Sequence, residues 1–158
     1  MKPDIQALNE AEHEWISDQL QAAAQFVARH APADAGSPLT ISSLDRAFAA
    51  WMALQVTDIP EINAAINAVG VAFGSFLVRE AGFAWVVASD EYGTELAVLA
   101  LPGTANVLVY PASFVAKRWE RKQTDFLEIC FHDMVAQTQA IQEELDRADG
   151  AEPGAAKP

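Results

Sequence analysis

The sequence lacks several features on which common protein functions depend. Its 158 residues include a single cysteine, Cys130, so no internal disulfide can form and nothing requires an oxidising compartment. Residues 1–14 contain no apolar run typical of a targeting segment. The most apolar stretch, residues 69–78, is about half the length that a bilayer crossing needs. We therefore predict a cytoplasmic protein with no membrane association.

Basic residues are scarce. The chain has 10 Lys and Arg against 22 Asp and Glu, which gives a net charge of −12. This charge repels phosphate backbones, so we expect no nucleic-acid partner, and it attracts a basic protein partner. The acidic excess lies in residues 1–81 and 123–158, because residues 82–122 carry 4 residues of each sign.

Motifs of familiar catalytic and cofactor sites are missing as well. We find no Gly-x-Ser-x-Gly, no phosphate-binding glycine loop, no dinucleotide fingerprint and no two-histidine zinc pattern. Asp125, Glu128 and His132 have the spacing of one helical face, but a solvated face with a Glu128–His132 pair explains them better than a metal site. Cys130 lies beside an apolar stripe, where burial disfavours its thiolate. We predict no cofactor, no metal and no catalytic residues, and we favour a binding protein over an enzyme.

The apolar spacing predicts the secondary structure. Length and a hydrophobic content of 51% suit one domain with an ordinary core. Helices are predicted from Asn9 to about His30, from Ser42 with Asp45 to about residue 57, and from Asp58 to a cap at Gly82. Three apolar runs, residues 83–88, 96–101 and 107–110, predict strands. The turn Asp90-Glu91-Tyr92-Gly93 joins the first two strands as a hairpin.

Two further helices complete the predicted fold. A short one runs from Pro111 to about Lys122, and a long one begins at Thr124 and Asp125. The fold class is therefore α+β: three N-terminal helices, a three-stranded antiparallel meander, then a short and a long C-terminal helix, all within residues 1–147. Residues 148–158 are rich in Ala, Gly and Pro, which predicts a flexible tail. Along the third helix, Gly70 and Gly74 belong to a stripe of small residues that predicts close packing of another element.

A basic cluster is the first candidate binding feature. Its four cations are three or four positions apart, on neighbouring parts of one helical surface around Trp119; they are Lys117, Arg118, Arg121 and Lys122. Such a surface could bind phosphate or carboxylate. Cations at the end of a helix are also stabilised by its exposed carbonyls, and this structural explanation needs no ligand.

The hairpin turn is the second candidate feature. Its acidic residues, Asp90, Glu91 and Glu95, are explained by turn geometry and solubility. Tyr92 at the tip is an exposed aromatic of the kind that often contacts a partner. The candidate binding residues are therefore Asp90, Tyr92, Lys117, Arg118 and Arg121.

Residues 69–119 resemble a small bacterial family catalogued as a domain of unknown function, number 3806. The pattern consists of Gly70, Phe73, Gly74, Leu77 and Gly82, then Trp85-Val86-Val87 and Asp90-Glu91-Tyr92-Gly93-Thr94, and finally Tyr110-Pro111, Val115, Lys117 and Arg118. The resemblance implies a shared fold and carries over no catalytic role. It also implies that the hairpin and the following helix form one unit, so that Trp85, Asp90, Tyr92, Gly93, Lys117 and Arg118 could share a surface. Trp85 alternates with Phe83 and Val87, which is more typical of a core residue.

Three functions are compatible with these patterns. We favour a non-enzymatic protein-binding module, such as an inhibitor or immunity protein, for a basic partner. The alternative is a small-molecule or anion-binding domain, with or without hydrolytic activity, that uses Lys117, Arg118 and the hairpin acids. The third is a homo-oligomer with a structural role. Convergence of Lys117, Arg118, Asp90 and Tyr92 around a cleft would favour a ligand, whereas a flat acidic face with exposed aromatics would favour a protein partner.

Overall fold

The computed structural model describes residues 2–155, with side chains described through residue 150. Five α-helices and four strands follow one another along this part of the chain: β1 (Asp4–Gln6), α1 (Glu10–His30), α2 (Ile41–Ala53), α3 (Ile59–Ala81), β2 (Ala84–Asp90), β3 (Gly93–Ala100), β4 (Val107–Val109), α4 (Pro111–Glu120) and α5 (Leu127–Ala155). A short 3-10 helix, Pro32–Asp34, separates α1 from α2. The predicted α+β class is confirmed.

The sheet is antiparallel throughout and has the order β1-β2-β3-β4. It therefore has four strands, and the predicted three-stranded meander is wrong in this detail. The missing strand is β1, which pairs along β2 from Asp4 opposite Ser89 to Gln6 opposite Val87. Three residues are too few to show a strand periodicity, and β1 forms only because the edge of β2 offers free backbone partners.

The hairpin between β2 and β3 forms as predicted. Asp90 pairs with Gly93, which leaves Glu91 and Tyr92 as a two-residue loop. The Asp90 carboxylate accepts a hydrogen bond from the Tyr92 backbone N–H at 2.8 Å. This local bond stabilises the turn, as short acidic side chains commonly do.

Helices α1 and α3 begin where their capping signals predict. The Asn9 side chain accepts from the Glu12 N–H at 2.8 Å, and the Glu12 carboxylate accepts from the Asn9 N–H at 2.7 Å. Asp58 caps α3 by accepting from the Glu61 N–H at 3.1 Å. Gly82 ends α3 in the left-handed conformation, with φ of 76°. Each of these signals lies within a few residues of the helix end, which is why sequence alone predicts them.

The starts of α2 and α5 differ from prediction. The capping pair of α2 is Thr40 with Ser43, and not Ser42 with Asp45. Helix α2 also ends at Ala53, earlier than the predicted residue 57. Helix α5 begins at Leu127, because the backbone of Asp125 is left-handed, with φ of 57°.

Asp45 caps a different helix from the one predicted. Its two carboxylate oxygens accept from the Leu127 N–H at 2.8 Å and the Glu128 N–H at 2.9 Å. Asp45, on α2, thus satisfies the first backbone N–H groups of α5. Its carboxylate also interacts favourably with the positive end of the α5 dipole. Burial raises the pKa of Asp45 above its usual value, although the two N–H donors act in the opposite direction.

Helix α3 is the central element of the core. Its buried apolar residues include Ile62, Val69, Phe73 and Leu77. By length and composition alone α3 could cross a membrane, but 72% of its most apolar 18-residue window is buried inside the fold. Helix α3 is therefore a core helix of the fold.

The small-residue stripe of α3 admits two neighbours. A Cβ at Gly70 would lie 2.8 Å from the Cα of Ala112, at the start of α4. A Cβ at Gly74 would lie 2.6 Å from the Trp85 ring. Trp85 is half-buried and packs against the main core, in agreement with its structural interpretation. The predicted close packing along this stripe is confirmed.

The boundary predicted at residue 147 coincides with no helix end. Helix α5 continues through Ala155, so residues 148–155 are helical in backbone. The predicted flexibility of residues 148–158 stays a prediction, and residues 156–158 lie outside the described part of the chain.

One buried side-chain polar atom has no hydrogen-bond partner among the described residues: the hydroxyl oxygen of Ser75, in α3. An unsatisfied buried hydroxyl costs about 1–3 kcal/mol, and alanine also favours the helix. We expect Ser75→Ala to raise the free energy of unfolding by about 1 kcal/mol, measured by urea unfolding. The control is Ser17→Ala on the exposed side of α1, with a change below about 0.5 kcal/mol. A destabilised Ser75→Ala protein would show that the hydroxyl does have a partner.

Candidate functional site

The short β4 leaves a space beside the longer β3. β4 pairs only with residues 98–100 of β3, whereas β3 begins at Gly93. After β4 the chain turns at Tyr110 and Pro111 into α4, which diverges from the sheet to pack against α3 at Gly70. The space between the hairpin and α4 is a cleft of about 570 Å³. We call it the hairpin cleft.

Three groups of side chains line the hairpin cleft. The hairpin contributes Asp90, Tyr92, Thr94 and Glu95, and α4 contributes Ser113, Phe114, Lys117 and Arg118. The sheet contributes Ala88, Gly93, Leu108 and Val109, the N-cap of α4 contributes Tyr110, and α5 contributes Met134.

Four of the five predicted binding residues meet at this cleft: Asp90, Tyr92, Lys117 and Arg118. Arg121 does not line it, because α4 ends at Glu120 and Arg121 follows as its C-cap. The surface implied by the family resemblance is therefore present, and Trp85 lies outside it in the core packing. The binding role of these residues stays a prediction.

Glu95 and Ser113 connect the two walls of the cleft. The Ser113 hydroxyl donates to the Glu95 carboxylate at 2.6 Å, and both residues are half-buried. Neither residue is among the binding residues predicted from the sequence, where Glu95 is explained by turn geometry and solubility. Glu95, Ala97 and Leu99 are two positions apart along one strand, so their side chains lie on the same face of the sheet. This spacing is the signal that could have placed Glu95 on the face that carries the buried Ala97 and Leu99.

Arg118 is held in place by aromatic packing. Its guanidinium carbon lies 4.3 Å from the centroid of the Phe114 ring, which stacks on Phe73 of α3 at 5.1 Å. A guanidinium over an aromatic face is attracted to the ring and loses little further freedom when it binds an anion. Lys117, one residue earlier, is exposed. The α4 wall thus presents one fixed and one mobile cation.

The pKa of Tyr110 depends on burial and on the carboxylates of the hairpin. Burial raises the pKa of its hydroxyl above the usual value, and the carboxylates of Asp90 and Glu95 raise it further. The phenol therefore stays protonated at neutral pH and can donate or accept a hydrogen bond. The cleft combines four hydroxyl groups, two carboxylates and two cations.

The cations and carboxylates of the cleft do not neutralise each other directly. Within the described side chains the one ion pair closer than 4.0 Å joins Arg46 to Asp34, at 2.9 Å. Lys117 and Arg118 therefore keep their charge available, and so do Asp90 and Glu95. Separated charges of opposite sign on facing walls suit a ligand that itself carries both signs.

The predicted pairing on α5 is wrong. Glu128 accepts a hydrogen bond from the Ser42 hydroxyl at 2.6 Å, and no ion pair joins it to His132 among the described residues. Asp125 precedes α5, so it does not share a helical face with His132. No group of three His, Cys, Asp or Glu side chains that could hold a metal ion occurs in the described part of the chain.

Comparison with known proteins places the cleft inside a recognised family. A family model described as a domain of unknown function (DUF3806) matches residues 50–129, wider than the 69–119 of the predicted resemblance. This segment includes every residue of the hairpin cleft except Met134. Searches of curated proteins and of solved structures found no match.

Proposed function

Since this chain belongs to the DUF3806 family, whose description assigns no activity, we propose a function from the hairpin cleft: it binds a small polar molecule that carries both an anionic group and a hydrogen-bond-donating or cationic group. One observation carries this proposal. Two cations on α4 and two carboxylates on the hairpin line the same cleft without forming ion pairs with each other among the described residues.

The shape of the site supports a small ligand over a flat protein partner. Small-molecule sites are concave, with volumes of roughly 300–1,000 Å³ and a few convergent polar groups. The hairpin cleft, at about 570 Å³, falls inside this range. Its polar groups come from separate elements that approach only in the folded chain, as in most ligand pockets.

The two walls suggest how such a ligand lies. A phosphate or carboxylate faces Arg118, whose guanidinium can donate two parallel hydrogen bonds, while Lys117 adds a mobile charge. An ammonium or amide group faces Asp90 and Glu95. Tyr92 is 90% exposed and stands at the rim, where its ring can cover a bound molecule.

Hydrolytic activity finds less support in this geometry. Ser113, the serine of the cleft, donates its hydroxyl to Glu95. His13, His30 and His132 all lie outside the cleft lining. A serine needs a general base within hydrogen-bond reach to act as a nucleophile, and here the acceptor is a carboxylate that also has a structural role.

The proposal is tested with three probes that share one small scaffold. O-Phosphoethanolamine carries a phosphate and an ammonium group, ethyl phosphate carries only the anion, and ethanolamine carries only the cation. We expect calorimetry to show that O-phosphoethanolamine binds at least about tenfold more tightly than either single-charge probe, a difference of about 1.4 kcal/mol.

The variants compare two neighbouring arginines. Arg118→Gln removes the cation that stacks on Phe114 inside the cleft, and Arg121→Gln removes a cation three positions later, outside it. We expect the first to weaken O-phosphoethanolamine binding about tenfold or more, since charge-assisted hydrogen bonds contribute about 1.5–3 kcal/mol. The second is expected to change it less than twofold. Equal losses from both variants would mean that the probe responds only to net charge.

A basic protein partner remains a second candidate, supported by the acidic surface. Among the described residues most carboxylates are exposed and only Asp34 forms an ion pair. In a cytoplasmic setting, which we retain as part of this proposal, such a surface favours fast electrostatic association. Affinity capture from the organism's own lysate, eluted stepwise with salt, tests it. Release of a single basic protein over a narrow salt range supports this function, and recovery of no specific protein counts against it.

A further inference from the structure

A second cavity, larger than the hairpin cleft, lies where α2 and α4 end. Its volume is about 740 Å³, and it shares no lining residue with the hairpin cleft. It is lined by the end of α2, the loop from α2 to α3, the end of α4 and the loop that follows α4. We call it the Trp119 cavity, after the tryptophan that α4 contributes.

Most of the wall of the Trp119 cavity is apolar. Trp119 is half-buried, and so are Met52 and Val56, which come from α2 and the loop that follows it. Trp51 adds only a small part of the wall, because it is 3% exposed and packs against Phe48 at 5.7 Å between ring centroids. A cavity of this size and lining suits an organic molecule whose apolar body contacts Trp119.

The end of α4 holds a lysine at this cavity. Lys122 has a left-handed backbone, with φ of 56°, and its N–H donates to the Trp119 carbonyl at 2.9 Å. The next N–H, that of Gln123, donates to the Arg118 carbonyl at 2.9 Å. These bonds satisfy two of the last carbonyls of α4, which would otherwise favour a cation. They also hold the Lys122 backbone beside Trp119.

The charge of the chain around Trp119 is positive. Lys122 lines the cavity, is exposed, and forms no ion pair among the described residues. Arg121 precedes it as the C-cap of α4, and Lys117 and Arg118 lie one turn earlier. The one carboxylate within residues 117–122 is that of Glu120. Four cations against one carboxylate favour an anionic group at this end of the helix.

Two further carboxylates lie next to lining residues in the sequence, and each accepts a hydrogen bond. Asp58 accepts from the Glu61 N–H at 3.1 Å, and Asp125 accepts from the Thr124 hydroxyl at 3.3 Å. The net charge of −12 belongs to the whole chain, and salt screens distant charges over about 8 Å. The cations at the end of α4 therefore dominate the potential at the cavity mouth.

We propose that the Trp119 cavity binds an organic monoanion, a carboxylate with an apolar body. The body packs against Trp119, Met52 and Val56, and the carboxylate faces Lys122 at the mouth. The Thr57 hydroxyl, also in the lining, can donate a hydrogen bond to the carboxylate. The site shares no lining residue with the hairpin cleft, so either proposal can fail without the other.

The first test uses one ring system with three end groups. The probes are 2-naphthylacetate, an anion, 2-naphthylethanol, which is neutral, and 2-naphthylethylamine, a cation at neutral pH. Binding is followed by NMR through the indole N–H signals of the full chain. We expect 2-naphthylacetate to shift the Trp51 and Trp119 signals and to bind about fivefold more tightly than the alcohol, as an exposed ion pair allows. The amine is expected to bind more weakly than the alcohol.

Two results of this comparison would overturn the proposal. One is binding of the alcohol or the amine that is as tight as binding of the carboxylate, because the cavity would then not select an anion. The other is an unchanged Trp119 signal with all three probes, because the cavity would then hold none of them.

Two lysine variants test the role of charge. Lys122→Gln removes the cation at the cavity, and Lys2→Gln removes the same charge from an exposed residue outside the lining. We expect the first to weaken 2-naphthylacetate binding about fivefold and to leave 2-naphthylethanol binding unchanged. The second is expected to leave the binding of both probes unchanged. Equal effects of the two variants would contradict a carboxylate site at Lys122.

Two tryptophan variants test the apolar contact. Trp119→Leu keeps an apolar side chain but removes the ring, and Trp15→Leu changes an exposed tryptophan of α1 outside the cavity. We expect the first to weaken the binding of both 2-naphthylacetate and 2-naphthylethanol about fivefold, through lost apolar contact. The second is expected to change neither, and circular dichroism checks that both variants fold. Unchanged binding by a folded Trp119→Leu protein would place the probes elsewhere and overturn the proposal.

Discussion

Gly70→Val is expected to lower the free energy of unfolding by about 3 kcal/mol, because overpacking a tight core contact costs about 1–3 kcal/mol or more. At this position even a Cβ would lie 2.8 Å from the Cα and 3.0 Å from the backbone nitrogen of Ala112. Backbone atoms cannot rotate away as a flexible side chain can, so α4 itself must move. Urea unfolding followed by tryptophan fluorescence measures the loss.

The matched control is Gly150→Val, on α5. A Cβ at Gly150 has no neighbour within 4 Å, so this change tests only the effect of valine in a helix. We expect it to shift stability by less than about 0.5 kcal/mol. If Gly70→Val were as stable as this control, the close packing of α4 on α3 would be wrong. The position of Lys117 and Arg118 in the hairpin cleft would then be wrong too.

Asp45→Ala is expected to lower the free energy of unfolding by about 2 kcal/mol, since hydrogen bonds to a charged group contribute about 1.5–3 kcal/mol. The substitution leaves the backbone N–H groups of Leu127 and Glu128 without their acceptor. Asp125→Asn is the control, because asparagine tolerates the left-handed backbone of that residue. If Asp125→Asn lowered the free energy of unfolding more than Asp45→Ala does, Asp125 and not Asp45 would cap α5, as the sequence alone predicts.

The stability contributed by Asp45 also depends on pH. The pKa of Asp45 is raised in the folded state, chiefly by burial, so the folded chain holds this proton more tightly than the unfolded chain does. The corresponding stability is fully present below the unfolded pKa of 3.8 and is lost as pH rises through the raised folded value. We therefore expect Asp45→Ala to cost more at pH 3.5 than at pH 7, in parallel unfolding titrations.

Signals that act within a few residues explain most of what the sequence predicts correctly. The Asn9–Glu12 capping pair, the left-handed Gly82 and the turn from Asp90 to Gly93 each determine their element locally. The cap of α5 could not be predicted in this way, because Asp45 and Leu127 are 82 positions apart. The strand β1 is missed for a related reason, since three residues become a strand only beside β2.

The residues that line the hairpin cleft were largely predictable. The hairpin, a short strand and the next helix are joined by short connections, which keep consecutive elements adjacent in space. These connections bring Asp90 and Tyr92 close to Lys117 and Arg118. The bond from Ser113 to Glu95 was not predictable, because it depends on how α4 packs against α3 and the sheet. Periodicity identifies apolar faces but not which faces meet.

The central claim, that the hairpin cleft binds a ligand bearing both charges, is tested most directly by locating bound O-phosphoethanolamine on the ¹⁵N-labelled protein by NMR. We predict saturable shifts confined to the amides of Gly93, Thr94, Glu95, Lys117 and Arg118, and much smaller shifts in Arg118→Gln at the same sub-saturating probe concentration. Shifts spread over the exposed surface of α1 and α5, or the same pattern in Arg118→Gln as in the wild-type protein, would contradict the claim.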